Sequence, residues 1–302
     1  MRILYATDGT ETALNAGKFI HNLPVTEGSV IHILTVVPGY GVSKDGGGYY
    51  IMEAMRAELD KAAEAATQNI LDLSRKALEP APAKIETHVR TGNPAEEIVN
   101  LAIDLDVDLV LMGGDLITAS ESLLSGNISL KVARYSEKSV IIVRSGSSKA
   151  DKILLAVDGS AYSHDAVRWL LDFPFAPGAQ IILLNAVHHA GAIFKSLIPF
   201  AKNHFEKVIS TLHGTEKQES EKILAEAEEI LKPRIKEMEK ITRVGEPAEE
   251  IIEAARESGS DLIILGLKGE SAISGFLLGE VARKVARYAS CAVMIVKRTL
   301  EK

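Results

Sequence analysis

An internal duplication constrains the fold of this chain more than any other feature of its sequence. Residues 3–10 read ILYATDGT and residues 153–160 read ILLAVDGS, at an offset of 150 positions. Residues 88–144 align with residues 241–297 at a constant offset of 153, without a gap. A copy of about 150 residues is long enough to bury a hydrophobic core of its own. The sequence therefore predicts two domains of the same kind.

Each copy alternates short apolar runs with stretches of helical periodicity. A continuous apolar run is typical of a strand that is buried on both faces, and alternation of strands with helices is typical of a parallel sheet with right-handed crossovers. We therefore predict an α/β fold of two tandem, doubly wound, five-stranded parallel sheets, in domains 1–145 and 151–302. In such sheets ligands bind beyond the carboxyl ends of the strands.

The copies diverge most after their second predicted strand. The second copy inserts an apolar segment at about residues 189–218, which we interpret as an extra helix or as two helices broken at Pro199. A charged amphipathic helix is expected to follow, from Glu219 towards Glu239, with an interruption at Pro233. The insert is either a cover for the local core or a lid or groove for a ligand or partner.

Composition and charge narrow the classes of function. The net charge of −7 argues against a surface for nucleic acid or for an anionic membrane. No apolar run approaches the ~18 residues that a membrane helix needs, and the N-terminus does not resemble a signal peptide. The single cysteine allows no internal disulfide, which fits a reducing compartment. We expect a cytoplasmic protein that binds neither nucleic acid nor membrane.

A glycine loop marks the predicted carboxyl end of one strand in the second copy. Its spacing is G-x2-G-x9-G, and a helix is predicted to begin at Glu280, directly after the last of these glycines. Glycines let a backbone approach a ligand closely, and a helix start offers unpaired N–H groups to an anion. Because Asp158 ends the strand across the switch point, the loop is interpreted as a nucleotide cradle. Glycines are also ordinary turn residues, so a purely structural role stays open.

Three segments together resemble the universal stress protein family: AVDGSAYSHDAVRWLL at 156–171, GEPAEEI at 245–251 and the glycine spacing. The resemblance covers both copies. It implies an adenine-nucleotide alpha-hydrolase-like fold and a role in the stress response. It also implies binding of ATP or AMP by many members, with Mg²⁺ accompanying ATP, and loss of binding in others. Domains of this family pair through their last strands, so we expect residues 140–143 and 292–296 to pair within the chain, and further homodimerisation stays open.

The resemblance carries the nucleotide-binding positions of the family onto this sequence residue by residue. In the second copy they are Val157, Asp158, Ala186, Gly266, Gly269, Gly279, Glu280 and Val281. In the first, weaker copy they are Thr7, Asp8, Val36, Gly113, Gly126 and Asn127. Leu116 stands where the first copy would need its second glycine, so it brings a side chain into the space of a ribose or phosphate.

Glu280 departs from the family pattern, which has a serine or threonine hydroxyl beside the phosphate. At ~4 Å and an effective dielectric constant near 20, a carboxylate and a phosphate charge repel each other by about 4 kcal/mol. Lys268, inside the loop, offsets part of this repulsion. The sequence therefore predicts a stress-response regulatory protein with an adenine-nucleotide pocket that is best preserved in the C-terminal domain. The alternatives are a nucleotide-independent scaffold or chaperone-like protein and, with less support, a slow ATPase.

The sequence predicts no catalytic residue set and no metal site. It contains no G-x-S-x-G elbow and no Walker-type phosphate loop. Among the eight histidines, His188 and His189 are adjacent and would point to opposite faces of a strand, unlike a pair at helical spacing. His164 is expected to be a solvated surface residue.

Overall fold

The computed structural model describes residues 1–38, 53–115, 128–173, 175, 178–187, 202–269 and 277–297. It divides into two compact units, Met1–Ser148 and Lys149–Lys302. In the first copy, the candidate site residues Gly126 and Asn127 and the residue Leu116 lie outside the described residues, and so does the insert up to residue 201.

The first unit contains a five-stranded parallel sheet in the order β3-β2-β1-β4-β5. Its strands are β1 (Arg2–Ala6), β2 (Val30–Pro38), β3 (Lys84–Gly92), β4 (Leu109–Gly113) and β5 (Ser139–Val143). Its helices are α1 (Glu11–Phe19), α2 (Glu53–Leu78), α3 (Pro94–Asp104) and α4 (Ile128–Tyr135), and a 3₁₀ turn covers Ile20–Asn22.

The second unit repeats this arrangement, with strand order β8-β7-β6-β9-β10. Its strands are β6 (Lys152–Ala156), β7 (Gln180–Val187), β8 (Met238–Val244), β9 (Leu262–Gly266) and β10 (Ala292–Val296). Its described helices are α5 (Ala161–Asp172), α6 (Lys202–Leu231), α7 (Pro247–Ser258) and α8 (Glu280–Tyr288). The prediction of tandem doubly wound α/β domains is confirmed. Of the helices that the structure describes, none is both long enough and apolar enough to cross a membrane.

The central strands are buried on both faces, which is why they lack polar alternation. In β1 the side chains of Ile3, Leu4 and Tyr5 are fully buried, whereas the edge strand β3 is half-buried or exposed along most of its length. Burying apolar surface stabilises the fold by about 25 cal/mol per Å², which favours the sheet interior for these side chains. Because β1 and β6 are the middle strands of their sheets, their carboxyl ends lie at the middle of the sheet edge, where a ligand site is expected.

The region after β7 differs from the predicted boundaries. A helix was expected to start at Glu219, but α6 is one continuous helix of 30 residues that includes residues 202–218. It ends at Leu231 because Pro233 offers no N–H and disfavours helical geometry at the residue before it. Glu239, which was expected in the helix, lies in β8.

Candidate functional site

A tight turn after β6 positions Asp158. The backbone N–H of Val157 donates to the Leu184 carbonyl (2.9 Å), and Asn185 Nδ2 donates to the Val157 carbonyl (2.7 Å). One carboxylate oxygen of Asp158 accepts from Ser160 N at 3.0 Å, which fixes the side chain against the turn. Val157 is only 4% exposed, and its backbone N–H and carbonyl both make hydrogen bonds inside the protein.

The turn continues directly into α5. Gly159 has φ +80°, a left-handed conformation that costs glycine little. The Ser160 hydroxyl accepts from Ser163 N at 3.2 Å and so caps the helix. The first unit builds the same turn, with Gly9 at φ +78° and the Thr10 hydroxyl accepting from Ala13 N at 3.3 Å.

The glycine loop after β9 packs onto this turn. A Cβ atom at Gly269 would lie 2.7 Å from Asp158 Oδ2, and the Ser160 hydroxyl lies within 3.5 Å of the Lys268 carbonyl, to which it donates. A Cβ atom at Gly266 would lie 2.5 Å from the carbonyl oxygen of Tyr162. The structure therefore brings Asp158 and the glycine loop together, although the protein's own packing is sufficient reason for glycine at position 266.

The start of α8 lies beside the same loop. Gly279 is the N-cap residue, and its N–H donates to the Leu267 carbonyl at 2.9 Å. A Cβ atom at Gly279 would lie 3.1 Å from Lys268 Cα, so the loop and the helix start are in close contact. No side-chain hydrogen bond caps this helix within the described part of the chain. The first N–H groups, which include those of Glu280 and Val281, therefore give the site partial positive charge.

Glu280 is not an isolated carboxylate. Its side chain is 70% exposed, and its Oε1 lies 3.2 Å from Lys284 Nζ. Lys284 Nζ also donates to Glu246 Oε1 at 3.1 Å. The hydrogen bonds to Glu246 and to Glu280 raise the pKa of the Lys284 ammonium group above its usual value. Solvent and this cation therefore screen the repulsion expected between Glu280 and a phosphate.

Ala186 occupies the end of β7, one strand away from the Asp158 turn. It is half-buried and pairs in register with Arg243 of β8. Its counterpart Val36 is also half-buried and pairs with Arg90 of β3. Both residues thus lie at the carboxyl edge of their sheets, as a ligand-facing role would require.

The equivalent place in the first unit has different chemistry. Gly113 packs tightly on α1, since a Cβ atom there would lie 2.7 Å from Ala13 N. Asp115, which aligns with Lys268 of the second copy, accepts from the Thr12 hydroxyl at 2.5 Å. The Thr7 hydroxyl, which has no counterpart at Val157, lies 3.1 Å from Ser74 Oγ and is therefore engaged inside the protein. The loop of the first unit thus carries a negative charge where that of the second carries a positive one.

A cluster of possible metal ligands, formed by His32, Glu86 and His88, was not predicted from the sequence. His32 Nδ1 on β2 lies 3.1 Å from His88 Nε2 and 3.3 Å from Glu86 Oε2, both on β3. Burial lowers the pKa of His32, and the hydrogen bond from Lys84 lowers the pKa of Glu86. The available signal was the Glu-x-His pattern of β3, which places both side chains on one face of the strand. His32 joins them only through the pairing of two strands.

Tandem parallel α/β units with a glycine loop packed on the first strand's turn define the fold class, and sequence comparison assigns the family. The profile of the universal stress protein family matches residues 1–144 and again residues 149–297. The chain therefore belongs to the universal stress protein family, with one copy of the family domain in each half.

Individual relatives agree with this assignment. Universal stress protein YxiE of Bacillus subtilis is 33% identical over 149 residues, which are 49% of this chain and 99% of the relative. A universal stress protein of Mycolicibacterium smegmatis is 23% identical over 286 residues, which are 92% of this chain and 88% of the relative. The crystal structure of a universal stress protein from Archaeoglobus fulgidus has a TM-score of 0.63 at 18% identity and covers 100% of this chain and 97% of its own. That likeness shows the fold.

Proposed function

We propose that the C-terminal unit binds an adenine nucleotide, ATP or AMP, and that the protein acts as a nucleotide-responsive regulator in the stress response. The observation that supports this proposal is the packing of the Gly266–Gly269 loop onto the Asp158 turn, with the uncapped start of α8 beside it. A negatively charged acceptor and a set of backbone donors then lie on either side of the glycine loop, as the two ends of one site. Adenine carries an amino donor and the phosphates carry negative charge, so the two ends match the two ends of the ligand.

The proposal assigns a role to each group. Asp158 accepts from the adenine amino group, and half-buried Ala186 lies against the base. The N–H groups of Glu280 and Val281, at the start of α8, donate to phosphate oxygens. With ATP, the exposed Glu280 carboxylate would hold Mg²⁺, which would offset part of the phosphate charge, because Mg²⁺ prefers oxygen ligands.

A scaffold that binds no nucleotide is the second candidate, and one observation favours it. Gly266 faces the backbone of Tyr162, so the first glycine of the motif is explained without any ligand. In that case the glycine loop only closes the packing between β9 and α5. The two candidates differ in whether Asp158 binds a ligand in addition to accepting the hydrogen bond that holds its turn.

The chain offers a matched pair of variants that separates these candidates. Asp8 and Asp158 each accept from the N–H two residues later at 3.0 Å, so Asp8→Ala and Asp158→Ala both remove this structural hydrogen bond, and Asp8→Ala also removes one from the Thr10 hydroxyl. We expect Asp158→Ala to weaken binding of adenosine, AMP and ATP by about tenfold or more, since a hydrogen bond to a charged group is worth about 1.5–3 kcal/mol. We expect Asp8→Ala to leave binding unchanged. Calorimetry on the full chain, with and without Mg²⁺, measures both. A wild-type chain that ignores millimolar nucleotide, or equal losses in both variants, would overturn the proposal.

A further inference from the structure

We propose that the N-terminal unit holds a divalent transition-metal ion, with Zn²⁺ as the first candidate, between His32, Glu86 and His88. This site lies on β2 and β3, in the other copy of the domain from the proposed nucleotide site. Its ligand set is two imidazoles and one carboxylate. Zinc sites with three protein ligands and an open fourth position use such a set.

The spacing of the donor atoms fits tetrahedral coordination. Zinc bonds of about 2.0–2.2 Å at tetrahedral angles place neighbouring donor atoms about 3.3–3.5 Å apart. His32 Nδ1 lies 3.1 Å from His88 Nε2 and 3.3 Å from Glu86 Oε2. All three donor atoms lie within 4.8 Å of one another. Small side-chain rotations therefore suffice to close the site around an ion.

The sheet places the three ligands without help from a loop. His32 and Glu86 are register partners in the parallel pair β2–β3, and His88 follows Glu86 by two residues on the same face. The same face carries Arg90, which pairs with Asp104 at the end of α3. His32 is only 6% exposed, while Glu86 and His88 are half-buried. Ligands on paired strands keep their separation, so an ion would find the site largely formed.

Two contacts within the cluster compete with the ion. One is the close contact between the His32 and His88 rings, in which one nitrogen must carry a proton. Binding of the metal needs a lone pair on both nitrogens, so that proton moves to the other nitrogen of its ring or leaves to solvent. The other is the ion pair between Lys84 Nζ and Glu86 Oε1 at 2.7 Å. Lys84 is 70% exposed, so its side chain is free to swing into water when Glu86 turns to the metal.

The test is metal binding by the full chain after treatment with a chelator. Calorimetry with ZnCl₂ and elemental analysis after gel filtration give the affinity and the zinc content per chain. We expect His88→Gln to lose one equivalent of bound zinc, or to weaken that equivalent by at least tenfold. His21→Gln, at an exposed histidine on the 3₁₀ turn of the same unit, is the matched control and should retain it.

A second variant and a stability measurement keep the result interpretable. Glu86→Gln should also weaken the site, and zinc should raise the melting temperature of the wild-type chain but not that of His88→Gln. Circular dichroism confirms that each variant is folded. If His88→Gln and Glu86→Gln, both folded, bind zinc with the wild-type stoichiometry and affinity, the site is wrong. Zinc that binds at the other histidines of the chain gives that result.

Discussion

Lys284 Nζ lies 3.2 Å from Glu280 Oε1, one helical turn along α8. The same ammonium group reaches Glu246, whose carboxylate caps α7 by accepting from Glu249 N at 3.0 Å. One cation therefore connects the starts of two helices, and it does so next to the residue that departs from the family pattern. This arrangement changes how strongly Glu280 can oppose a phosphate.

Replacement of Glu280 should strengthen ATP binding only modestly. Because the carboxylate is exposed and paired, its repulsion corresponds to a surface interaction of up to about 1 kcal/mol, or about fivefold in affinity. We expect Glu280→Gln to give most of this gain with ATP in the absence of Mg²⁺, and Glu280→Ser to add a phosphate contact. Calorimetry with ATP and adenosine checks it, with Glu249→Gln as the charge-matched control. Weaker ATP binding by Glu280→Gln would contradict the assignment of the phosphate end.

Alanine at the first two glycines of the loop should have different effects. At Gly269 the added Cβ meets Asp158 Oδ2, the end of a side chain that can rotate away. We expect Gly269→Ala to stay folded and to lose nucleotide affinity by at least tenfold. At Gly266 the added Cβ meets the Tyr162 backbone, which cannot move as easily, so Gly266→Ala should cost about 1–3 kcal/mol of unfolding free energy. Thermal unfolding and calorimetry separate the two, and the opposite pattern would count against the site.

Acid should destabilise the first unit through Asp106. Hydrogen bonds from Lys138 and Arg2 lower the pKa of Asp106 from 3.8 to about 2. A carboxylate whose pKa is lower in the folded state stabilises that state above its unfolded pKa, and this contribution disappears as the pH falls from about 4 to 2. Asp106 has φ +46°, which asparagine tolerates, so Asp106→Asn removes the charge and keeps the backbone.

We therefore expect Asp106→Asn to melt at a lower temperature than the wild-type chain at pH 7. The difference should shrink as the pH falls towards 2. Calorimetry across this range measures it, and Glu137→Gln, at another exposed carboxylate of the same unit, is the control. A difference that is independent of pH would show that the ion pairs of Asp106 do not stabilise the fold.

Removal of Lys84 should strengthen the proposed zinc site. Lys84→Ala frees the Glu86 carboxylate and removes a positive charge next to an incoming cation. We expect zinc affinity to rise by up to about fivefold, the range of an exposed ion pair. Lys131→Ala, at an exposed lysine on α4, should change nothing. If Lys84→Ala weakens zinc binding instead, Glu86 is not a ligand.

Pairing between residues 140–143 and 292–296 stays a prediction. Unpaired edge strands bond through alternate amides only, and the remaining N–H groups face solvent. If these strands pair, every amide of both strands should exchange slowly with deuterium. Residue-resolved exchange of the full chain measures this. Fast exchange of alternate amides in β5 and β10 would exclude the pairing.

Elements with a continuous apolar run and a clear cap were predictable to the residue. The start of α8 at Glu280 and the bounds of β10 at 292–296 match the expectation, because a glycine or a polar turn borders each of them. The start of α6 was not predictable, since its apolar first part and charged second part suggest separate helices. Hydrophobic character can change along a helix whose backbone hydrogen bonds continue.

Contacts between strands were beyond sequence reasoning, whereas one contact within a helix was not. His32 and His88 are 56 positions apart, and only the register of β2 against β3 makes them neighbours. Lys284, in contrast, stands four residues after Glu280, a spacing that places both side chains on one helix face. The screening of Glu280 was therefore readable from the sequence, and the position of Lys284 was the signal for it.

The long helix α6 packs along one side of the proposed nucleotide site. Ser220 Oγ lies 2.8 Å from Thr242 Oγ1, near the carboxyl end of β8. The part of α6 before Ser220 adds about 27 Å, whereas β8 continues for only about 7 Å. The helix therefore runs on for longer than the strand does. Ile223 of α6 lies against Gly159, so this helix closes one side of the turn that carries Asp158.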